Sequence, residues 1–190
     1  MSTRPVQIHT PLGEEVLALQ AGDHVELSGI VYTARDEAHL RMREKGIPFD
    51  PKGAVIYHCG PVIRDNKVIA AGPTTSARMN ELSGFLIDNG VRGLIGKGGM
   101  GAIVKEQLRD KGVYFAFTGG CAALASSHMA LKGVLYEDLG MAEAIWMIEL
   151  NRLPLVVGID AHGNDIFEAA RNHAAAAFRS YDSRPCTGRQ

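Results

Sequence analysis

The chain has 190 residues, 46% of them hydrophobic and 22% charged, with a formal net charge of −1. That length suits one globular domain, 1–190, able to bury about 70% of its unfolded surface, and the charge excludes a bulk electrostatic pull toward nucleic acid or an anionic membrane. No apolar run approaches the roughly 20 residues of a membrane span, and the start, Met1-Ser2-Thr3-Arg4-Pro5-Val6-Gln7, lacks the apolar core of a secretory signal. Cys59, Cys121 and Cys186 are widely spaced and odd in number, which argues against a disulfide framework and fits a reducing cytoplasm. They form no closely spaced cluster-binding run, although distant cysteines can still share a metal.

Strand signals come first. Residues 25–33 are β-branched and partly alternating, with Gly29 as a candidate bulge. Residues 54–58 form a compact apolar strand, and 67–71, after the turn signal Asp65-Asn66, are expected to pair with it as a hairpin. The pattern then changes to alternation: a helix over 76–89 stopped by Gly90, a strand over 91–95, a helix over 102–111 stopped by Gly112, and a strand over 113–118. A small-residue helix over 121–131 follows, ending near Gly133, then a short strand over 134–136. Residues 142–150 are a nearly unbroken apolar run that reads as helix or strand. A buried-type strand over 153–159, an Ala-rich helix over 165–178 and a loosely held tail from Ser180 complete the chain. Hairpin-like strands followed by β-α alternation predict an α/β fold with a mixed sheet, leaving a three-layer β/β/α arrangement and a doubly wound sheet both open.

Three predicted helix starts carry cations. A helix N-terminus offers unpaired N–H groups and about half a positive charge, so Arg or Lys beside it makes a carboxylate or phosphate site. At Tyr32-Thr33-Ala34-Arg35-Asp36-Glu37-Ala38-His39, Asp36 is expected to cap a helix running to Lys45 and stopped by Gly46. Arg35 lies beside that cap and His39 one turn on; the plainer reading is a capped surface helix with a solvated arginine. At Gly72-Pro73-Thr74-Thr75-Ser76-Ala77-Arg78, three hydroxyls in a row exceed what a cap needs. Thr74 and Arg78 share a face if the helix begins early enough, and Arg78 can grip a carboxylate with a two-bond fork. The plainer reading is an N-cap with a spare arginine.

The third start, Gly96-Lys97-Gly98-Gly99-Met100-Gly101, matches the dinucleotide pattern G-x-G-x-x-G. The acidic residue expected about 20 positions on is missing, since Lys111 to Ser127 contains no Asp or Glu. Lys97 is followed by Gly98, so it is not a Walker A lysine either. What remains is a glycine loop whose backbone N–H groups and Lys97 can meet an anion, or a tight turn with an exposed lysine. Gly119-Gly120-Cys121 is a further strand–Gly–helix junction, where Cys121 reads first as a small residue packed on the sheet. Asp160-Ala161-His162-Gly163-Asn164 reads as a turn with too few metal-capable residues for a metal site.

Taken together, these segments resemble the beta subunits of class I fumarate hydratase and L-tartrate dehydratase. The likeness rests on 27–29 with 32–39, His58-Cys59-Gly60-Pro61, 72–79, 96–101, Gly119-Gly120-Cys121-Ala122-Ala123, Glu137-Asp138-Leu139-Gly140-Met141 and 160–164, in family order from about Gly22 to Glu168. The resemblance implies a swivelling β/β/α domain. It also implies a partner alpha subunit whose [4Fe–4S] cluster is held by three cysteines, with the fourth iron as Lewis acid on the substrate. By position, Arg35, Arg78 and Lys97 resemble the family's substrate-carboxylate and active-site cations. Thr74 matches the threonine proposed as base, while Asp36, His39, Gly98 and Gly99 match positions around the site.

The resemblance implies reversible hydration of fumarate to L-malate, with tartrate to oxaloacetate as the alternative; Ala34 and Thr75-Ser76-Ala77 lean toward fumarate. A dinucleotide-binding oxidoreductase and a non-catalytic binding module are rivals from other classes. The isolated subunit is expected to expose an apolar docking patch or to dimerise.

Overall fold

The computed structural model describes residues 4–118, 120 and 122–182. Its strands are β1 (Val6–His9), β2 (His24–Thr33), β3 (Val55–Tyr57), β4 (Val62–Arg64), β5 (Lys67–Ala70), β6 (Gly93–Gly96), β7 (Val113–Ala116), β8 (Met129–Leu135) and β9 (Ile145–Ile159). Its α-helices are α1 (Asp36–Lys45), α2 (Ser83–Asp88), α3 (Ala102–Leu108), α4 (Ala122–Ala125) and α5 (Ile166–Asp182).

β2, β3, β6 and β7 run parallel as neighbours, and β9 lies antiparallel to β7. β9 is long enough to pair antiparallel with β2 as well, from His24↔Val156 to Tyr32↔Met147. Those five strands therefore close into a ring, with β1 added beside β2 and β8 beside β9. The register slip between Leu27 and Gly29 is the bulge that the sequence predicted, and Gly29 has φ +99°.

Side chains alternate across the ring as the period of two demands. Val55, Tyr57, Ile95, Val113 and Phe115 fill the inside together with Leu27, Val31 and Val157. Ile56, Leu94 and Tyr114 face outward, where Met42 of α1, Leu86 and Ile87 of α2, and Val104 and Leu108 of α3 cover them. Two β layers thus enclose one core, and helices add a second core on a single outer face. This is the β/β/α arrangement and not a doubly wound sheet. Wholly buried Phe115 contributes about 1.5–3 kcal/mol through burial alone.

Several local expectations change. Asp65 and Asn66 do form the turn, both at positive φ as a tight hairpin requires, but they join β5 to β4, not to the strand at 54–58. The helix expected over 76–89 divides into a 3-10 turn, Ser76–Met79, and α2, because the Ser76 side chain is held in a buried contact and Asn80 turns to Gly101. Residues 121–131 do not form one helix. α4 and a 3-10 turn give way at Met129 to β8, because pairing with β9 outweighs a small-residue preference for helix. Residues 142–150 and 153–159 belong mostly to one strand, with Pro154 accommodated opposite Glu26. β1 is not among the predicted strands; Val6-Gln7-Ile8-His9 alternates apolar and polar, but four residues are too short a stretch for a periodic signal. α5 extends to Asp182, past the predicted end at 178. The expectations for Gly119, Cys121, Cys186 and the tail over 183–190 lie outside the described residues.

Candidate active site

The parallel strands β2, β3 and β6 end at one edge, and each exit delivers a segment of the predicted site. Ligands of α/β sheets commonly bind outside such carboxyl ends. β2 leads into Arg35, β3 into His58-Cys59-Gly60, and β6 into Lys97.

The Thr74 segment is held between two of these exits by backbone bonds. Thr74 N donates to His58 O at 2.7 Å, Lys97 N donates to Thr74 O at 3.2 Å, and Ser76 N donates to Lys97 O at 3.2 Å. Isolated bridges Cys59↔Pro73 and Thr75↔Lys97 extend the frame on either side. Thr74 is half-buried, whereas Lys97 and Gly98 are exposed.

Arg35 approaches from α1. It occupies the cap position with extended backbone, so Asp36 is the first helical residue and not the N-cap that the sequence suggested. Its side chain is free to reach across the helix start: Asp36 accepts a bond from Arg78 Nη2. Arg35 Nε lies 3.3 Å from Glu143 Oε1, while Glu143 Oε2 accepts from Glu37 N at 3.1 Å. The arginine passes over Gly60, where an added Cβ would lie 3.0 Å from its Cδ. Only glycine leaves that path open. Arg78 lies in the 3-10 turn while Thr74 precedes it, so the two do not share an α-helical face as expected; the frame to His58 and Lys97 relates them instead.

Behind this edge lies a buried polar cluster. His39 Nδ1 donates to Arg35 O at 2.7 Å. His58 Nδ1 lies 2.9 Å from Ser76 Oγ, Ser76 Oγ lies 3.2 Å from Tyr114 Oη, and Tyr114 Oη donates to Gly98 O at 2.7 Å. The two imidazoles stand 5.5 Å apart, each 2% exposed or less, with their Nε2 atoms buried and without a hydrogen-bond partner. Burial lowers the pKa of His39 and, joined by the neighbouring His39, lowers that of His58 well below the ordinary value. Both rings are neutral near pH 7. Burial likewise raises the Tyr114 phenol. His58, Ser76, Tyr114 and Glu143 were not among the predicted site residues. An alternating strand marks Tyr114 only as outward-facing, and nothing local distinguishes a buried serine from a cap.

On the other side of Lys97, a cleft of about 600 Å³ is lined by Thr75, Gly98, Phe117, Ile166 and Phe167 among others. In the glycine loop, Gly101 N already donates to Asn80 Oδ1 at 2.8 Å. The 160–164 segment is a turn: buried Asp160 accepts bonds from Ala21 N, His162 N, Asn164 N and Asn164 Nδ2. Cys59 is buried and its thiol is pushed up to about 12, chiefly by burial, as suits a thiol packed in the core. No helix among the described residues is long and apolar enough to cross a membrane.

A closed mixed ring with hydroxyl, arginine and lysine gathered at the carboxyl edge of its parallel strands is the frame on which the sequence likeness rests. Residues 1–170 match the family model described as Fumarase C-terminus, and the chain belongs to that family. It is 42% identical over 169 residues to the "Putative L(+)-tartrate dehydratase subunit beta" of Methanocaldococcus jannaschii, covering 82% of this chain and 87% of that protein. It is 36% identical over 168 residues to the "L(+)-tartrate dehydratase subunit beta" of Escherichia coli K12, covering 83% and 84%. It is also 37% identical over 174 residues to the "Putative fumarate hydratase class I" of Geobacillus stearothermophilus, covering 87% of this chain but 34% of that protein.

Proposed function

We propose that this chain is the beta subunit of a two-subunit hydro-lyase and that the complex hydrates fumarate reversibly to L-malate. The observation that carries this reading is the Thr74 frame: one hydroxyl residue bonded through its backbone between His58 and Lys97, with Arg35 and Arg78 on the flanking segments. A dicarboxylate has two charged ends, and guanidinium groups bind carboxylates with paired, directed bonds. In this proposal Arg35, Arg78 and Lys97 hold the two ends. Thr74 takes the proton from the carbon beside the departing hydroxyl. A threonine hydroxyl ionises far above neutral pH, so it needs positive charge close by, a role this proposal assigns to Arg78 and Lys97. Asp36 orients Arg78, and Gly98 and Gly99 let the loop backbone approach the ligand.

The alpha partner holds the [4Fe–4S] cluster in this reading, and the complex is cytoplasmic. Exposed Val62 and Ile69 on the β4–β5 hairpin, with Met141 beside it, give the partner an apolar seat next to the site. L-Tartrate is the second reading, favoured by the names of relatives that align over more than four-fifths of this chain. The dinucleotide reading loses ground because Asn80 already takes the Gly101 amide.

The test is anaerobic consumption of fumarate and of L-tartrate by this chain alone and with a cluster-loaded partner. Fumarate turnover only in the mixture supports the proposal. Tartrate turnover keeps the mechanism and changes the substrate. Activity of the chain alone without iron overturns the division of labour.

A further inference from the structure

Hydrogen-bond directions in the buried cluster can be assigned from acceptor chemistry. The Gly98 carbonyl can only accept, so the single proton of Tyr114 goes to it. Tyr114 Oη is then left to accept from Ser76. The Ser76 hydroxyl, having given its proton there, accepts from His58 Nδ1. The result is a one-way chain, His58 to Ser76 to Tyr114 to Gly98, in which each donor is used once. The opposite sense at His58 leaves Tyr114 Oη with no donor. His39 obeys the same rule, since the Arg35 carbonyl can only accept.

The ends of this chain meet the proposed machinery. His58 also accepts Thr74 N through its carbonyl, Ser76 also donates its backbone N–H to Lys97 O, and Gly98 follows Lys97 directly. The fit is close: a Cβ on Gly96 would lie 1.7 Å from Ser76 Oγ. Lys97 is exposed, so the buried residues beneath supply the rigidity of its segment.

We propose that His58, Ser76 and Tyr114 are positioning residues for the reaction, forming a directed hydrogen-bond chain that sets Lys97 and Thr74 in register, with His39 fixing Arg35. This deepens the hydro-lyase reading and rests on it. Substrate would never touch these four side chains. They act through the backbone of the residues that do.

The variants are Tyr114→Phe, which removes one hydroxyl and keeps the packing, Ser76→Ala, Ser76→Cys as the conservative change, and the Ser76→Ala/Tyr114→Phe double variant. In the assembled complex, with whichever substrate the unaltered complex consumes, Tyr114→Phe is expected to act on the Lys97 side and raise KM about tenfold, with kcat changed less than about twofold. Ser76→Ala is expected to raise KM and also lower kcat about tenfold, since it carries both ends of the chain. The double variant should be no worse than Ser76→Ala, because a chain cut once gains nothing from a second cut. Ser76→Cys should recover part of the loss.

Amide hydrogen exchange on the isolated subunit gives a readout independent of catalysis: the Thr74, Ser76 and Lys97 amides should exchange faster in Tyr114→Phe and in Ser76→Ala. Unchanged exchange, or losses that simply add in the double variant, overturns the positioning role. If Ser76→Ala does not fold, Tyr114→Phe decides by exchange alone. If the unaltered complex consumes neither fumarate nor tartrate, the hydro-lyase reading fails, while exchange still decides whether the chain holds the frame.

Discussion

Arg78 donates through Nη2 to the carboxylate of Asp36, tying the turn after Thr74 to the first residue of α1. The pair joins two segments that the sequence presents as separate helix starts. Both side chains are part-exposed, so the pair contributes at most about 1 kcal/mol to folding. Its effect is orientational. Asp36→Asn is expected to leave thermal stability nearly unchanged and to raise the KM of the assembled complex about tenfold, as Arg78 loses its fixed direction. Steady-state kinetics beside a melting curve check this. A large fall in melting temperature with KM unchanged would show a structural pair only.

Thr74→Ala should lower kcat by a factor of about 10² to 10⁴, the range expected when a general base is lost, with little change in KM. Thr74→Ser, keeping the hydroxyl, should retain most of the activity. Near-normal turnover in the alanine variant would end the assignment of Thr74 as base.

Gly96→Ala drives a methyl group to within 1.7 Å of Ser76 Oγ in a place with no room to yield. Overpacking of this kind costs about 1–3 kcal/mol, and here it also displaces the Lys97 exit. Urea denaturation should show the lower midpoint, and the complex should lose activity beyond what instability explains.

Acid should weaken the fold before it protonates most carboxylates. His39 and His58 have folded pKa values lowered by burial, so between the ordinary value near 6.5 and the lower folded values the unfolded chain binds protons that the folded one refuses. Their contribution is fully present above about pH 6.5 and is lost as pH falls. Asp160 acts in the same direction at lower pH. Burial opposes its charge, but bonds from Asn164, Ala21 and His162 outweigh that and hold its pKa below the usual range. Urea midpoints from pH 8 to 5 should fall, and a His39→Gln/His58→Asn variant should flatten the slope. An unchanged slope would remove the histidines from the account.

The sequence exposed its cations and its hydroxyl more clearly than the contacts that hold them. Arg35, Arg78 and Lys97 stand out because charge beside glycine and threonine at a strand exit has few structural reasons to exist. Gly46 and Gly90 stop helices at positive φ, as their positions announce. Ser76 and Glu143 are different. Their partners are distant in the chain, and a hydroxyl in a Thr-Thr-Ser run looks like a cap until the fold brings His58 and Tyr114 to it. The error at 121–131 has the same source: local small-residue composition cannot register that β9 waits for Met129–Leu135.

The fifteen-residue β9 has a consequence for how this protein is made. Gly29 and Leu150 are partners in the β2–β9 ladder, 121 positions apart. As the chain leaves the ribosome, β2, β3, β6 and β7 can emerge and collapse, but nothing can close them until β9, Ile145–Ile159, has been synthesised. Until then the free edges of β2 and β7 face other nascent chains with unpaired amides and apolar flanks, the conditions in which pairing goes astray. Late closure across so long a span is also intrinsically slow. Production of this subunit should therefore respond to growth temperature and chaperone supply more than its final stability would suggest, and a chain shortened before Ile145 should aggregate.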